Sequence, residues 1–310
     1  MTSATHTRSS AAAQAVSAVR FLVGVDGGGT GTRLRLTGID GRLLGQGDSG
    51  PSALGQGVEQ AWAHIQLALQ QACQQAGIAS LDLSECAIGL GLSGAGLAVA
   101  VAEFIATQPG YAHVELDNDG YTTVLGAHAG QPGAVIASGT GSVGEAVRRD
   151  GSRVCIGGWG WVIGDEGSGA WLGQKAMRHA HQALDGRAES GPLARAIWAK
   201  CGRDRETLLA WCASAGQHGY ASLAPLVFEH ADTDPAAQTF VNEAVAELEK
   251  LAAALDPSGD LPMALCGSIA LRLGPLFSPA LRQRCVPPQG DSAAGALLMI
   301  RRAISEMGRP

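Results

Sequence analysis

The chain has 310 residues and a net charge of −6, and 46% of its residues are hydrophobic while 16% are charged. This composition indicates a globular protein of about two domains, because disordered chains combine low hydrophobicity with high charge. The acidic balance argues against a nucleic-acid partner, and no apolar stretch approaches the roughly 20 residues of a membrane span.

The N-terminal segment, residues 1–19, is rich in Ala, Ser and Thr and lacks the continuous apolar run of a signal peptide. We therefore expect a disordered tail over residues 1–19 and a cytoplasmic location. The chain has seven cysteines, an odd number with no C-x-x-C spacing, which favours reduced thiols over disulfides or a metal site.

The first ordered unit is a meander of three short strands, expected at residues 20–25, 32–37 and 42–47. The first strand runs into the glycine-rich loop Asp26-Gly27-Gly28-Gly29-Thr30. Apolar and charged residues then alternate, as in a half-buried strand, and Asp40-Gly41 suits a type I′ hairpin turn before the third strand.

Helices and strands alternate in the remainder of the N-terminal half. Apolar residues at a period of three to four predict a helix over residues 57–76. Buried strands follow at residues 89–92 and 114–116. The second of them runs into Asp117-Asn118-Asp119, before a helix that begins near Tyr121.

The supersecondary unit of the N-terminus recurs in the second half. Strands are expected there at residues 134–137, 143–148 and 152–156. The first runs into Ser138-Gly139-Thr140-Gly141-Ser142, and Asp150-Gly151 joins the other two. The two Asp-Gly turns lie 110 positions apart, and each follows its glycine loop by about ten residues. The sequence therefore predicts an internal duplication.

Helices dominate the rest of the chain, and we expect them at residues 170–184, 193–200, 205–213 and 236–255, with a strand at residues 263–266. A last helix is expected at residues 293–307. The chain should form two α/β lobes: an N-terminal lobe of residues 20–127, joined by the C-terminal helix, and a C-terminal lobe of residues 128–292.

Glycine accounts for 44 residues, about twice the roughly 7% share of average proteins. A glycine loop directly after a strand lets the backbone approach a phosphate and leaves N–H groups to bind it, although glycine is also the usual turn residue. Two such loops in duplicated positions, each with hydroxyl side chains, favour phosphate binding. No lysine stands where a Walker A motif needs one, and a strand follows the glycines where a dinucleotide-binding fold has a helix. Asp26, at the end of the first strand, is suited to hold a hydrated Mg²⁺ that bridges phosphate oxygens.

Several motifs occur in order along the chain: residues 21–30 (FLVGVDGGGT), Asn118-Asp119, residues 138–142 (SGTGS), residues 157–160 (GGWG), residues 164–168 (GDEGS), residues 266–270 (CGSIA) and residues 288–295 (PQGDSAAG). Together they resemble the eukaryotic-type N-acetylglucosamine kinases, the bacterial glucosamine kinases and the broader BadF/BadG/BcrA/BcrD ATPase family. The resemblance implies an α/β, two-lobed actin-like (ribonuclease-H-like) ATPase fold with duplicated β-hairpin phosphate loops. It also implies an ATP- and Mg²⁺-dependent kinase that phosphorylates the 6-hydroxyl of N-acetylglucosamine or glucosamine.

The resemblance further implies roles for individual residues. Asp119 is the expected base for the sugar hydroxyl; the alternative is that Asp117, Asn118 and Asp119 only cap the helix that follows. The residues expected at the ATP phosphates are Gly27, Gly28, Gly29, Thr30, Thr32, Gly139, Thr140, Gly141 and Ser142. Those expected at the adenosine are Gly216, Gly267 and Ser268.

The loop of residues 157–169 is the expected sugar site. A sugar presents an apolar face and a ring of hydroxyls, so an aromatic ring beside a carboxylate suits it, and Trp159 or Trp161 with Asp165 or Glu166 supplies both. The residues expected to bind the sugar are Ser52, Ser93, Gly94, Asn118, Asp119, Gly158, Trp159, Asp165 and Gly169. Ala53 stands where the family usually has Asn, and Ser52 is a substitute to consider. This departure leaves the choice between an acetylated and a free amino sugar open.

Two other hypotheses remain at this stage. An ATPase that activates a dehydratase needs cysteines placed for an iron–sulfur cluster, and a sugar-sensing regulator would be expected to carry a helix-turn-helix. The scattered cysteines and the short N-terminal segment argue against both. We expect a small-molecule amino sugar as partner, no nucleic acid and no membrane; a homodimer is left open.

Overall fold

The computed structural model describes residues 18–307 and shows two compact units. The first unit takes the chain up to Gln131 and again from Pro288 onward, and the second is Pro132–Pro287. The predicted tail over residues 1–19 lies outside the described residues as far as residue 17, and Val19 is already buried in the first unit.

The strands are β1 Phe21–Gly27, β2 Thr32–Gly38, β3 Leu43–Ser49, β4 Cys86–Leu92, β5 His113–Asp117, β6 Gly133–Ser138, β7 Ser142–Val147, β8 Arg153–Gly157 and β9 Met263–Cys266. Within residues 18–307 the helices are α1 Val58–Ala76, α2 Ala98–Ala106, α3 Asp119–Ala127, α4 Gly169–Leu184, α5 Pro192–Cys201, α6 Arg205–Ala221, α7 Ala224–His230, α8 Pro235–Leu255, α9 Ser268–Leu273, α10 Pro279–Arg284 and α11 Ser292–Met307. None of these helices is long and apolar enough to cross a membrane.

The first unit is built on a five-stranded sheet of order β3-β2-β1-β4-β5. Strands β1 to β3 form the predicted antiparallel meander, and β4 and β5 extend it in parallel from β1. Helix α1 packs on β2 and β3, while α11 packs on β1, β4 and α3. Side chains at Gly24 and Gly89 would collide with the α11 backbone, so these glycines allow the helix to approach the sheet closely.

The second unit repeats this plan with a four-stranded sheet of order β8-β7-β6-β9. Strands β6 to β8 are an antiparallel meander, and β9 lies parallel to β6 as β4 lies parallel to β1. Helices α4 to α8 enclose a core that includes Leu172, Leu193 and Leu248. The duplication that the sequence predicts is therefore present in the strand order.

The unit boundaries differ from the predicted lobe boundaries. Residues 128–131 and 288–292, which we expected in the second lobe, belong to the first unit. The reason is local: Gln289 donates its N–H to the Ala127 carbonyl at 2.9 Å, and α11 follows directly against the first sheet.

Four helices were not predicted: α2, α7, α9 and α10. Helix α2 is almost uniformly apolar and so has no amphipathic period, and α9 and α10 have only six residues each. The predicted end of α6 at residue 213 lies close to a kink at Gly216, whose φ of 55° and ψ of −171° are not helical; the chain is helical again from there to Ala221.

Candidate active site

The first glycine loop joins β1 to β2. Gly28 donates its N–H to the Gly31 carbonyl at 3.0 Å, and its own carbonyl accepts the N–H groups of Ser52 and Ala53 at 3.1 and 3.2 Å. Within residues 18–307, no hydrogen-bond acceptor faces the backbone N–H groups of Gly29 and Thr30. The loop is thus held at its base and offers free amides at its tip, an arrangement suited to an anion.

The hydroxyl that ends this loop has a structural role. Thr32 is 1% exposed, and its hydroxyl lies within hydrogen-bond distance of both Gly50 O and Ser52 Oγ, each at 2.7 Å. Ser52 is equally buried. These contacts join the loop to the segment after β3. The contacts of Thr32 with phosphate and of Ser52 with sugar stay predictions.

The second loop, between β6 and β7, is built in the same way. Gly139 donates to the Gly141 carbonyl at 3.0 Å, while the Gly139 carbonyl accepts the Gly169 N–H at 2.8 Å. In the described chain the N–H groups of Thr140 and Gly141 have no acceptor. Ser142, the counterpart of Thr32, is buried and donates to the Glu166 carbonyl at 2.7 Å.

Two predicted ligand residues hold this loop in place. The Ser142 hydroxyl binds the Glu166 carbonyl, and Gly169 is buried with its N–H bound to the second glycine loop. The contacts of Ser142 with phosphate and of Gly169 with sugar stay predictions. The exposed or half-buried hydroxyls of Thr30 and Thr140 are the ones left at the loop tips.

Burial raises the pKa of two carboxylates in the first unit. Burial raises the pKa of Asp26 above its ordinary value, and the nearby carboxylates of Asp119 and Asp291 raise it further; a hydrogen bond with Ser292 and the charge of Arg33 oppose this shift. Burial also raises the pKa of Asp119, although the Gly120 N–H donates to its Oδ1 at 3.1 Å. Both groups are therefore poised to take up a proton or to pair with a cation.

The helix cap after β5 is Asn118. Its Oδ1 accepts the Tyr121 N–H at 2.6 Å, and Asp117 Oδ1 accepts the Asn118 N–H at 2.8 Å. The capping alternative thus holds for Asn118, whose amide nitrogen remains for a ligand, and it leaves Asp119 outside the cap. Ser93 and Gly94 follow the neighbouring strand β4, where Ser93 is half-buried and Gly94 is exposed at φ 87°.

The residues fit a magnesium ion of the substrate-bridging kind. Within residues 18–307, no three His, Cys, Asp or Glu side chains are grouped to hold a metal by themselves. Mg²⁺, however, usually keeps several waters and binds through one or two carboxylates together with substrate phosphates. Asp26, which lines a cavity together with Gly28 and Thr30 of the first glycine loop, is suited to such a site, and a cation there would offset the burial of Asp26.

The expected sugar loop exposes its apolar side chains. Trp159 is 75% exposed, and Val162 and Ile163 are also exposed, in a segment where Gly157, Gly158 and Gly160 adopt positive φ. Trp161 instead packs at 5.6 Å from the Tyr220 ring.

Asp165 closes this loop in a strained conformation. Its φ is 58°, which costs a non-glycine residue free energy and is common at functional sites. The residue is 4% exposed, and its Oδ2 accepts a hydrogen bond from Gln217 Nε2 at 2.9 Å. Burial raises the pKa of Asp165, whereas hydrogen bonds from the backbone of Ser142 and Gly160 lower it. Asp165 is thus hydrogen-bonded to Ser142, the residue that ends the second glycine loop.

A cavity of about 240 Å³ opens beside the second glycine loop. It is lined by Gly139, Thr140, Gly169, Ala221, Ala224, Pro225, Phe228, Ser268, Ile269 and Arg272. Gly267, at φ 86°, lies against Ser138 and Gly139, and Ser268 lines this cavity. Gly216 lies at the kink in α6 and is not among the lining residues. Contact of these three residues with adenosine stays a prediction.

Sequence reasoning missed Phe228 and Arg272. The Arg272 Cζ lies 4.3 Å from the centroid of the Phe228 ring. Both side chains come from short helices, α7 and α9, that carry no periodic apolar signal. The one sequence feature that could have indicated Arg272 is its position four residues after Ser268, which is about one helical turn.

The profile of the BadF/BadG/BcrA/BcrD ATPase family matches residues 23–299. The chain belongs to this family. The family that the sequence motifs predict is thereby confirmed.

Relatives cover nearly the whole chain. A glucosamine kinase from Vibrio cholerae serotype O1 is 34% identical over 90% of this chain and 95% of its own. A Chromobacterium violaceum protein, solved as a candidate N-acetylglucosamine kinase, is 48% identical with a TM-score of 0.85 over 91% of this chain and 99% of its own. A hexokinase of the ROK group from Thermus thermophilus, 19% identical with a TM-score of 0.54 over 92% of this chain and 99% of its own, shares the fold alone. The predicted actin-like ATPase fold is confirmed.

Proposed function

We propose that this protein is an ATP- and Mg²⁺-dependent amino-sugar kinase that transfers the γ-phosphoryl group to the 6-hydroxyl of glucosamine or N-acetylglucosamine. The enzyme class, a sugar kinase, is confirmed by relatives along nearly the whole chain. The observation that carries the rest is the half-buried carboxylate of Asp119, the first residue of α3, whose charge raises the pKa of Asp26.

Asp119 is the proposed base. Phosphoryl transfer needs the attacking oxygen to be oriented and its proton to be accepted. A carboxylate withdrawn from water takes a proton more readily than an exposed one, and its raised pKa supports this role. As the sugar oxygen bonds to the γ-phosphorus, the bond from that phosphorus to the β-phosphate oxygen breaks, ADP leaves and the hydroxyl proton passes to Asp119.

The two glycine loops are the proposed phosphate clamps. Each offers two N–H groups without an acceptor, from Gly29 and Thr30 and from Thr140 and Gly141. Such amides bind anionic oxygens without reorganisation during the reaction, because hydrogen bonds within each loop already fix their directions. Mg²⁺, held by Asp26 through water, would neutralise charge on the transferred group.

The proposed sugar contacts are Trp159, Asp165, the Asn118 amide and Ser93. The exposed ring of Trp159 suits the apolar face of a pyranose. Asp165 can accept sugar hydroxyls once the Gln217 contact is exchanged for them. Glucosamine and N-acetylglucosamine are the first acceptors to test, because the Vibrio relative is named for the former and the Chromobacterium structure for the latter.

The position of transfer is tested with a deoxy analogue. ADP release should be stimulated by glucosamine or N-acetylglucosamine and should be absent with the 6-deoxy form of the same sugar, which lacks the acceptor oxygen. Phosphorus coupling to C6 in the NMR spectrum of the product would identify the new ester directly. ADP release that continues with the 6-deoxy sugar would exclude the 6-hydroxyl.

A further inference from the structure

The cavity beside the second glycine loop has two sets of lining groups. Thr140 and Ser268 provide hydroxyls, and Thr140 also provides a backbone N–H that has no acceptor within residues 18–307, next to the expected phosphates. Phe228 and Arg272 provide an aromatic ring and a guanidinium. The inference below rests on the proposed function, in which this cavity holds the nucleoside of the phosphoryl donor.

The Arg272 guanidinium lies over the Phe228 ring. The guanidinium carbon is 4.3 Å from the ring centroid, and Arg272 is exposed while Phe228 is half-buried. A guanidinium over an aromatic face forms a cation–π pair. Nucleobases stack on both aromatic rings and guanidinium planes, so this pair is a preformed platform for a base.

The other residues that line the cavity have few polar side-chain atoms that could form hydrogen bonds with the edge of a nucleobase. Ala221, Ala224, Pro225 and Ile269 have no polar side-chain atom, which leaves Thr140, Ser268 and Arg272. Thr140 and Ser268 belong with the phosphate loop, and an arginine only donates hydrogen bonds. The lining therefore has no carboxylate or amide side chain to accept a hydrogen bond from the 6-amino group of adenine.

We propose that the donor base is held by stacking on the Arg272–Phe228 pair and is not selected through its edge, so that the kinase accepts purine nucleoside triphosphates broadly. Stacking is tolerant of base identity because every base has a π face. A site that pairs with a particular polar group, in contrast, rejects an analogue lacking it by about 10⁴-fold or more.

The test compares kcat/KM for ATP, ITP and GTP at saturating amino sugar. We expect the three purine nucleotides to lie within about tenfold of one another, since stacking differs little among purines, and UTP to be weaker because its ring is smaller. Arg272→Leu and Phe228→Leu should each raise KM for all three purine nucleotides by about tenfold, with KM for the sugar unchanged.

Two further variants separate stacking from charge. Arg272→Lys keeps the positive charge but loses the planar guanidinium, so it should behave like Arg272→Leu. Arg203→Leu, which removes an exposed arginine elsewhere in the second unit, should leave every constant unchanged.

The possible results distinguish a failure of broad base acceptance from a failure of the proposed kinase function. Activity with ATP and a loss of about 10³-fold or more with ITP and GTP would overturn broad base acceptance and leave the kinase assignment intact. Unchanged nucleotide KM in Arg272→Leu would overturn the stacking platform; this variant decides even if Phe228→Leu fails to fold, because Arg272 is exposed. No sugar-dependent ADP release with any nucleotide would remove the proposed function itself.

Discussion

Replacing Asp119 by Asn removes the proposed catalytic base but keeps a side-chain oxygen that can accept a backbone hydrogen bond. The amide oxygen of Asn can still accept the Gly120 N–H that now reaches Asp119 Oδ1 at 3.1 Å, so the start of α3 should be preserved. The base, however, is lost. We expect kcat to fall about 10²- to 10⁴-fold, the usual range for a general base. That loss is roughly 3 to 5 kcal/mol of activation free energy.

Although Asp119→Asn should lower kcat, it should not lower the free energy of unfolding at neutral pH. Because burial raises the folded pKa of Asp119 above the ordinary 3.8, the folded state binds this proton more tightly than the unfolded state. The free energy of unfolding therefore decreases as pH rises through the folded pKa, and the ionised group is a cost at neutral pH. Asp119→Asn should melt at the same or a higher temperature than the wild type at pH 7, and the difference should vanish near pH 3.

The assays are steady-state ADP release and thermal melting on the same preparations. Asp117→Asn is the matched control, since its oxygen can still accept the Asn118 N–H and it should keep most of its turnover. In the wild type, the acid limb of kcat/KM should report a group that titrates above 3.8. Near-normal turnover in Asp119→Asn would refute the base assignment, and a joint loss of activity and stability would show that Asp119 acts in folding.

Three other changes probe the surroundings. Gly28→Ala and Gly139→Ala each place a methyl group where nothing lies within 4 Å, so the fold should be unaffected. Each methyl should displace phosphate contacts and raise KM for ATP about tenfold. Gly96→Ala, at an equally open position, is the control. Trp159→Ala should raise KM for the sugar about tenfold by removing the stacking ring, with unfolding free energy within about 0.5 kcal/mol in denaturant titrations because the ring is exposed. Arg35→Gln breaks a bidentate pair with Asp291 at 2.6 and 2.8 Å and should cost about 1 kcal/mol of stability, whereas Arg20→Gln, whose bridge to Glu85 is exposed, should cost almost none.

The strands around both glycine loops could be predicted because their signals are local. Alternating side chains and an Asp-Gly pair fix each meander within a short window, and the observed strands differ from the expected ones by a few residues at their ends. The short helices could not be predicted in this way. Helix α7 contains Pro225, which is tolerated only because it lies in the first turn, and α9 is too short to show a period.

The roles of the hydroxyls depend on contacts that a local pattern does not reveal. Thr30 and Thr32 look equivalent in the sequence, yet only Thr32 meets Gly50 and Ser52, 18 and 20 residues further along the chain. The glycine excess is divided in the same manner. Gly28 stands in open space at the loop, whereas Gly24 and Gly89 are required by the approach of α11 from the far end of the chain. Composition alone cannot separate these two uses.

The central claim is that this chain phosphorylates an amino sugar with ATP. The most direct test is a coupled ADP-release assay with glucosamine, N-acetylglucosamine, N-acetylmannosamine and glucose as acceptors. We expect glucosamine or N-acetylglucosamine to stimulate ADP release well above the rate with glucose or without sugar. ADP release that is independent of every sugar, or strongest with glucose, would contradict it.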